Sequence, residues 1–317
     1  MRFKIFVSTL FVFLFPIVLF AQSEEKNEIH SEELSITSLI DGTLLLPETE
    51  NPVPLAILIA GSGPTDRDGN QPMMINNSLK FLAEGLTQHS IATFRYDKRI
   101  VKQIQMRNID ERNIRFDDFV DDAVAIVNHF AKDDRFSKIY IIGHSQGSLI
   151  GMIAAQEHTD GFISIAGTGR EIDDVIVAQL AQQAPGLDES AREAFDDLRT
   201  NRVARNYNPG LASIFRPEIQ PFILSWMQFD PAEEIKKLEM PILILNGDKD
   251  IQVSVAEAEL LFKNKPEAEL KIIPNMNHVL KEVEDMGLEN QKAYNLQDLP
   301  VVPELIQDIS EFINRGN

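Results

Sequence analysis

The residue best suited to covalent chemistry is a serine inside a glycine-flanked pentapeptide. Residues 143–147 read Gly-His-Ser-Gln-Gly, directly after the apolar run Lys138 to Ile142 and before a helical pattern. A chain that turns from strand to helix within a residue or two brings the positions flanking the apex together, and Gly143 and Gly147 carry no Cβ to clash there. The pattern predicts that Ser145 lies at the apex with its hydroxyl exposed. A glycine-rich turn with an incidental serine is the alternative.

A serine nucleophile needs partners of defined types. Its hydroxyl is barely ionised at neutral pH, so a neutral imidazole must take the proton, and a carboxylate must fix the imidazole tautomer. Backbone N–H groups must stabilise the oxyanion. One candidate donor is the amide of Gln146. The other is the amide of Ser62 in the turn Ala60-Gly61-Ser62-Gly63-Pro64, where Pro64 has no N–H to donate; a plain Gly-Pro turn is the alternative there.

The elements that must position these groups follow an alternating pattern. Short apolar runs that end at Gly, Pro, Asn or Asp predict buried parallel strands; they cover Ala56 to Ala60, Ile91 to Tyr96, Ile139 to Ile142, Phe162 to Ala166, Ile242 to Leu245 and Leu270 to Ile273. Helical periodicity lies between them, most clearly from Phe116 to Phe130. The chain is therefore predicted to form an α/β fold with a mostly parallel sheet and helices on both faces.

Three later segments depart from this rhythm. Residues 170–237 contain no convincing strand and show short helical patterns around Ala181 to Leu198 and Pro217 to Met227, which predicts a helical insertion. Residues 281–300 are polar, and we expect an irregular surface segment there. An amphipathic helix is predicted from Val302 to Ile313.

The chain resembles an α/β-hydrolase, a family in which nucleophile, acid and histidine follow in that order. Only His158 and His278 come after Ser145. His158 lies at the end of the helix that follows the serine and should point away from the apex. His278 follows a late predicted strand, where a loop at the carboxyl edge of the sheet could reach Ser145, and it is the expected base.

Two aspartates compete for the role of the acid. Asp248 and Asp250 both lie in the segment Asn246-Gly247-Asp248-Lys249-Asp250-Ile251-Gln252-Val253, after a predicted strand. The family resemblance favours Asp250, three residues after the glycine and three before the valine. Asp248 then acts as a turn residue that binds backbone amides.

The resemblance extends to one branch of the superfamily, secreted bacterial esterase-like hydrolases grouped with serine aminopeptidase-like and dienelactone hydrolase-like members. It is carried by residues 65–70, 95–99 and 215–222, which read TDRDGN, RYDKR and FRPEIQPF. It implies a hydrolase core at 34–169 and 238–317, a cap at 170–237, and hydrolysis of small-molecule or acyl carboxylic esters. Five residues of the cap could either line an acyl pocket or hold the cap to the sheet: Phe215, Phe222, Trp226, Met227 and Phe229.

Two other functions remain open. A peptidase that releases N-terminal residues needs an anionic group for the substrate α-ammonium, and Glu171, Asp173 and Asp174 at the start of the cap are candidates, although an acidic solvated face is the simpler reading. The second is a non-catalytic binding module on a hydrolase scaffold, because a fold does not guarantee a function.

Composition narrows the partners. The 317 residues include 49 acidic and 30 basic ones, a net charge of −19, which argues against a phosphate-binding surface and hence against nucleic acid. There is no cysteine, and therefore no disulfide, thiolate metal site or cysteine nucleophile. No cofactor or metal is indicated: Asp66 to Asn70 echoes a calcium loop, but Asn77 stands where the bidentate glutamate belongs. Oligomeric state is not predicted.

The N-terminus has the layout of a secretory signal peptide. Arg2 and Lys4 precede an apolar run from Ile5 to Phe20, followed by Ala21 and an acidic stretch. We expect cleavage after Ala21, no membrane span in the mature chain, and a secreted or periplasmic location. An uncleaved membrane anchor is the alternative, although the run is short for a spanning helix.

Overall fold

The computed structural model describes residues 29–156 and 158–316, so the predicted signal peptide at 1–21 lies outside the described residues. The described part contains one sheet of eight strands in the order β1-β2-β4-β3-β5-β6-β7-β8, in which only the β1–β2 and β2–β4 pairs are antiparallel. The strands cover Ile29–Thr37 (β1), Ile40–Pro47 (β2), Val53–Ile59 (β3), Ala92–Tyr96 (β4), Phe136–His144 (β5), Gly161–Ile165 (β6), Ile242–Gly247 (β7) and Glu269–Ile273 (β8).

Helices connect the strands and cover the sheet. They cover Ser78–Gln88 (α1), Arg99–Gln105 (α2), Phe116–Phe130 (α3), Gln146–Ala154 (α4), Ile172–Gln183 (α5), Asp188–Asn201 (α6), Ala212–Phe215 (α7), Gln220–Trp226 (α8), Pro231–Glu234 (α9), Val255–Asn264 (α10), Leu288–Ala293 (α11) and Pro303–Arg315 (α12). Among the described residues, no helix combines the length and the apolar character needed to cross a bilayer.

Both faces of the sheet are buried, as its near-continuous apolar strands require. In β3 the residues alternate between two cores: Ile57 packs in the core with α3 and α4, whereas Leu58 packs in the core with α1 and α12. The predicted parallel strands are all present, and α3 has the predicted bounds. The mostly parallel α/β sheet predicted from the sequence is therefore confirmed.

One sequence expectation, that for residues 281–300, needs correction, and the structure adds detail at two other places. The sequence does not predict the hairpin of β1 and β2, because β1 is half exposed and lacks a continuous apolar run. The described sheet begins at Ile29, ahead of residue 34, the expected start of the core. Residues 281–300 are not merely irregular surface: they include α11, and Lys281 and Asn290 are fully buried. The helical pattern at 181–198 covers the end of α5 and most of α6, with a turn at Gly186 between them.

Candidate active site

Ser145 occupies the turn between β5 and α4 in a backbone conformation that is rare for a residue with a side chain, φ 55° and ψ −121°. A Cβ on Gly143 would lie 2.2 Å from the carbonyl oxygen of Gly147, and one on Gly147 would lie 2.2 Å from that of Ile59. The N–H of Ser145 donates to the carbonyl of Ile165 on β6 at 2.9 Å. The strained turn is thus fixed by close packing and by the neighbouring strand.

The loops that follow β7 and β8 bring a carboxylate and an imidazole together. Nδ1 of His278 donates to Oδ2 of Asp250 at 2.8 Å, and both side chains are buried. Oδ1 of Asp250 accepts the amides of Gln252 and Val253 at 2.7 and 2.8 Å. Asp248 instead accepts the amide of Asn275 at 2.7 Å. Of the two competing aspartates, Asp250 is therefore the partner of His278, and within the described residues Nε2 of that imidazole has no hydrogen-bond partner.

Further contacts hold these two loops together. A Cβ on Gly247 would lie 1.9 Å from the carbonyl oxygen of Met276, so only glycine permits this approach. Nδ2 of Asn277 donates to Oδ1 of Asn290 at 3.1 Å, and Nδ2 of Asn290 donates to the backbone carbonyl of Lys249 at 2.7 Å. This asparagine pair links the residue before His278 to the residue before Asp250.

Ser145 and His278 line one cavity of about 400 Å³, together with Ser62, Gln71, Met74, Leu79 and Tyr294 among others. This is the small end of the range for ligand sites. No hydrogen bond joins the serine hydroxyl to His278 within the described residues, and such bonds often tighten only when substrate binds. The structure therefore places the predicted nucleophile and the predicted base in the wall of the same cavity, without a hydrogen bond between them.

The two segments that carry the predicted oxyanion donors both lie next to Ser145. An ideal Cβ on Gly61 would lie 3.2 Å from the Cβ of Ser145, which places the Gly61–Ser62 peptide against the nucleophile. The amide of Gln146 is at the first position of α4, where N–H groups have no partner within the helix. Their role in catalysis stays a prediction.

His144 has a structural role that the sequence analysis did not assign. Its side chain is buried, and Nε2 donates to the carbonyl oxygen of His278 at 2.8 Å. Burial, together with the electrostatic influence of the neighbouring imidazole of His278, lowers the pKa of His144 to about 3. Its place inside the pentapeptide was visible in the sequence, but its partner was not. His158, by contrast, is exposed after α4.

The cap aromatics do not reach this cavity, which corrects their candidate role as substrate-binding residues. Trp226 stacks on Phe116 of α3 with ring centroids 5.6 Å apart, and Phe222 packs edge-on against Phe119. Phe215 is fully buried, and Met227 is 5% exposed. Phe215 packs against Phe195 and Tyr207 within the cap. None of the four, Phe215, Phe222, Trp226 and Met227, lines the cavity that contains Ser145.

The charged segment at 66–70 is held by local contacts. Oδ1 of Asp66 accepts the amides of Asp68 and Asn70 at 2.9 and 2.8 Å. Arg67 pairs with Asp97 at 2.7 Å, and Asp68 pairs with Arg95 at 2.9 Å. These carboxylates fix the loop that borders the cavity.

The sheet order, the serine on the strand-to-helix turn and the aspartate–histidine pair after the last two strands define an α/β-hydrolase. The chain belongs to the serine aminopeptidase S33 family, whose model matches residues 76–284.

Individual relatives agree with this class. The chain is 27% identical over 256 residues to "Esterase EstD" of Thermotoga maritima, an alignment that covers 78% of this chain and 60% of that protein. It thus spans about 60% of the relative's length. Est1E from Butyrivibrio proteoclasticus has a similar fold (TM-score 0.58, 17% identity, 90% of this chain and 98% of that one). Dienelactone hydrolase from Anabaena variabilis is similar as well (TM-score 0.53, 16% identity, 92% and 98%).

Proposed function

We propose that this protein is a serine hydrolase that cleaves carboxylic esters of small, uncharged substrates through an acyl-enzyme. Ser145 Oγ bonds to the ester carbonyl carbon while its proton passes to Nε2 of His278, and Asp250 holds that imidazole in the required tautomer. The amides of Ser62 and Gln146 stabilise the oxyanion. The alcohol leaves with the proton held by His278. A water molecule then gives a proton to His278 and attacks the acyl carbon, and the acid leaves as that proton returns to Ser145 Oγ.

The lack of charged side chains among the described lining residues favours a neutral substrate. Among residues 29–156 and 158–316, those that line the cavity at Ser145 include no Asp, Glu, Lys or Arg. Burial raises the pKa of the Tyr294 hydroxyl, so that group stays neutral, and His144 is neutral as well. A substrate with an α-ammonium would therefore lose its hydration without gaining an ion pair. Neutral esters suit this site better.

The acidic residues suggested for an aminopeptidase are engaged elsewhere. Arg199 binds Glu171 at 2.6 Å and Asp173 at 2.8 Å. Arg192 binds Asp173 at 3.0 Å and Asp174 at 2.5 Å. These carboxylates join α5 to α6 within the cap and do not line the cavity at Ser145. Although the family description names serine aminopeptidases, these contacts favour esters.

The test combines covalent labelling with matched substrates. A fluorophosphonate should modify Ser145 in the wild-type protein and leave the Ser145→Ala variant unlabelled. p-Nitrophenyl acetate and butyrate should be hydrolysed with a higher kcat/KM than aminoacyl p-nitroanilides. Folded wild-type protein that neither reacts with the probe nor cleaves esters contradicts the proposal, and faster cleavage of the anilides supports the peptidase alternative.

The proposed location is outside the cytoplasm, in the secreted or periplasmic fraction, and it rests on the sequence of residues 1–21. Expression of the full chain in a Gram-negative host, followed by N-terminal sequencing of the exported protein, should give a chain that starts at Gln22. An intact N-terminus in the membrane fraction would support the anchored alternative.

A further inference from the structure

The proposed oxyanion hole has a buried lysine directly behind it. Lys98 follows β4, and its side chain is buried, with the residue only 2% exposed. Nζ donates to the carbonyl oxygen of Gly61 at 2.8 Å and to Oε1 of Gln146 at 2.7 Å. Its two acceptors therefore belong to the two segments that carry the predicted oxyanion donors.

The contact with Gly61 acts on the donor itself. The carbonyl of Gly61 and the N–H of Ser62 belong to one peptide unit, and no cis peptide bond occurs in the described chain. In a trans peptide these two groups point in opposite directions. Because the carbonyl points inward to Lys98, the N–H of Ser62 points away from Lys98, on the side where Ser62 lines the cavity. A cation on the carbonyl polarises the peptide and strengthens its N–H as a donor.

The surroundings of Lys98 leave its charge uncompensated. Within residues 29–156 and 158–316 no carboxylate lies within ion-pair distance of Nζ, and the ring of Phe119 lies 4.7 Å away. Asp122, the carboxylate whose charge acts on Lys98, is bound on both oxygens by Arg99, at 2.7 and 2.8 Å. Burial lowers the pKa of Lys98 to about 7, against the opposing effect of Asp122. An unpaired buried cation is costly, and an oxyanion formed nearby would offset that cost.

We propose that Lys98 is a positioning residue of the oxyanion hole. It joins the Gly61–Ser62 peptide to Gln146 and polarises that peptide, so that the N–H of Ser62 is a stronger donor to the oxyanion of the transition state. This inference rests on the proposed ester hydrolysis. It places a charge one peptide unit away from the reacting oxygen, in a site whose cavity wall is neutral. The effect is therefore specific to the tetrahedral state and leaves ground-state binding of a neutral ester unchanged.

The primary variant is Lys98→Met, which keeps the length and apolar stem but removes the ammonium. We expect kcat for p-nitrophenyl acetate to fall on the order of tenfold to a hundredfold, with KM within about threefold, since an indirect effect should stay below the loss of a whole donor. Affinity for phenylboronic acid, which forms a tetrahedral adduct on the serine, should fall by a similar factor. A purely structural lysine would lower the melting temperature without this split between kcat and KM.

Lys281 supplies a matched control. It is also fully buried, lies 4.6 Å from the ring centroid of Phe81, and donates to the carbonyl of Leu299; neither Lys281 nor Leu299 lines the cavity at Ser145. Lys281→Met removes an equivalent ammonium and should leave kcat within about threefold. Wild-type activity with an equally active Lys98→Met overturns the inference, whereas an inactive wild-type protein contradicts the proposed function itself.

A second variant decides the matter if Lys98→Met does not fold. Lys98→Gln offers two N–H donors for the carbonyl of Gly61 and Oε1 of Gln146 but carries no charge. If Lys98 only supplies hydrogen bonds that hold the fold, this variant should keep the kcat of wild type. The proposed role predicts that kcat falls at least about tenfold with KM within about threefold, because the field of the ammonium is lost. Unchanged kcat in folded Lys98→Gln also overturns the inference.

Discussion

The rings of His144 and His278 lie with their centroids 4.9 Å apart, and Nε2 of His144 donates to the backbone carbonyl of His278. Since a carbonyl oxygen only accepts, the proton of neutral His144 resides on Nε2. The residue before the nucleophile thereby anchors the backbone of the base. This contact fixes the turn at Ser145 relative to the loop after β8, and it does not involve the reacting atoms.

The acid sensitivity of the fold should depend on His144. Its pKa is about 3 in the folded protein, against an ordinary value of 6.5, so between these two values the unfolded chain binds more protons than the folded one. The free energy of unfolding should therefore decrease as pH falls from 6.5 toward 3, by at most about 1.4 kcal/mol per pH unit from this group. Urea unfolding of wild type and His144→Phe between pH 7 and 4.5 measures this.

The variant removes the titrating ring but keeps its size. The stability gap between wild type and His144→Phe should narrow as the pH is lowered, because only the wild type must protonate this group on unfolding. His158→Phe, at an exposed histidine after α4, is the control for the exchange of an imidazole for a phenyl ring. Parallel curves for wild type and His144→Phe contradict the assigned pKa.

The two aspartates of the loop after β7 should respond very differently to the same change. In Asp250→Asn the oxygen can still accept the two loop amides, but the new NH₂ faces Nδ1 of His278 and forces the wrong tautomer. We expect kcat to fall on the order of a thousandfold to ten-thousandfold while the protein stays folded. Asp248→Asn keeps an acceptor for the amide of Asn275, and its kcat should stay within about threefold.

Steady-state rates with p-nitrophenyl acetate and circular dichroism of both variants make the comparison. Equal losses of activity in the two variants would show that the loop conformation, rather than the contact to His278, sets the rate.

Chain-length preference should respond to the cavity wall and not to the cap aromatics. Met74 is half buried in the wall beside Ser145, so Met74→Trp should narrow the cavity and shorten the longest acyl chain that is accepted. Trp226→Leu removes the stack on Phe116 and should lower the free energy of unfolding by about 2–4 kcal/mol. Its ratio of butyrate to acetate turnover should match that of wild type. A changed ratio in Trp226→Leu contradicts the packing role.

The sequence predicts the sheet well because buried parallel strands leave a local signature. Val53–Ile59 is apolar at every position, so its strand character is visible without knowledge of its neighbours. The hairpin of β1 and β2 leaves a weaker signature, since the exposed residues Glu33 and Ser35 alternate with the half-buried Leu34 and Ile36 on a half-exposed edge. Its pairing depends on register with a strand that no local pattern specifies.

The site was predictable where chain order and residue type sufficed. Ser145 and His278 follow from a pentapeptide and from the position of a histidine after a strand, and Asp250 follows from family resemblance. Lys98 and His144 act through partners 48 and 134 residues away, and such contacts exist only once the sheet has assembled. For the cap aromatics the sequence leaves both roles open, because composition cannot distinguish a pocket wall from a packed interface.

The backbone strain at Ser145 predicts a conflict between stability and activity. Its φ of 55° with a ψ of −121° disfavours any residue with a Cβ, whereas glycine adopts such conformations readily. Both Ser145→Gly and Ser145→Ala lose the nucleophile and should show no fluorophosphonate labelling. Because only glycine relieves the strain, Ser145→Gly should unfold at a higher urea concentration than Ser145→Ala, by on the order of 1 kcal/mol in the free energy of unfolding. Alanine as the more stable of the two would mean that the turn is not strained, and that its geometry is set by the Gly143 and Gly147 contacts alone.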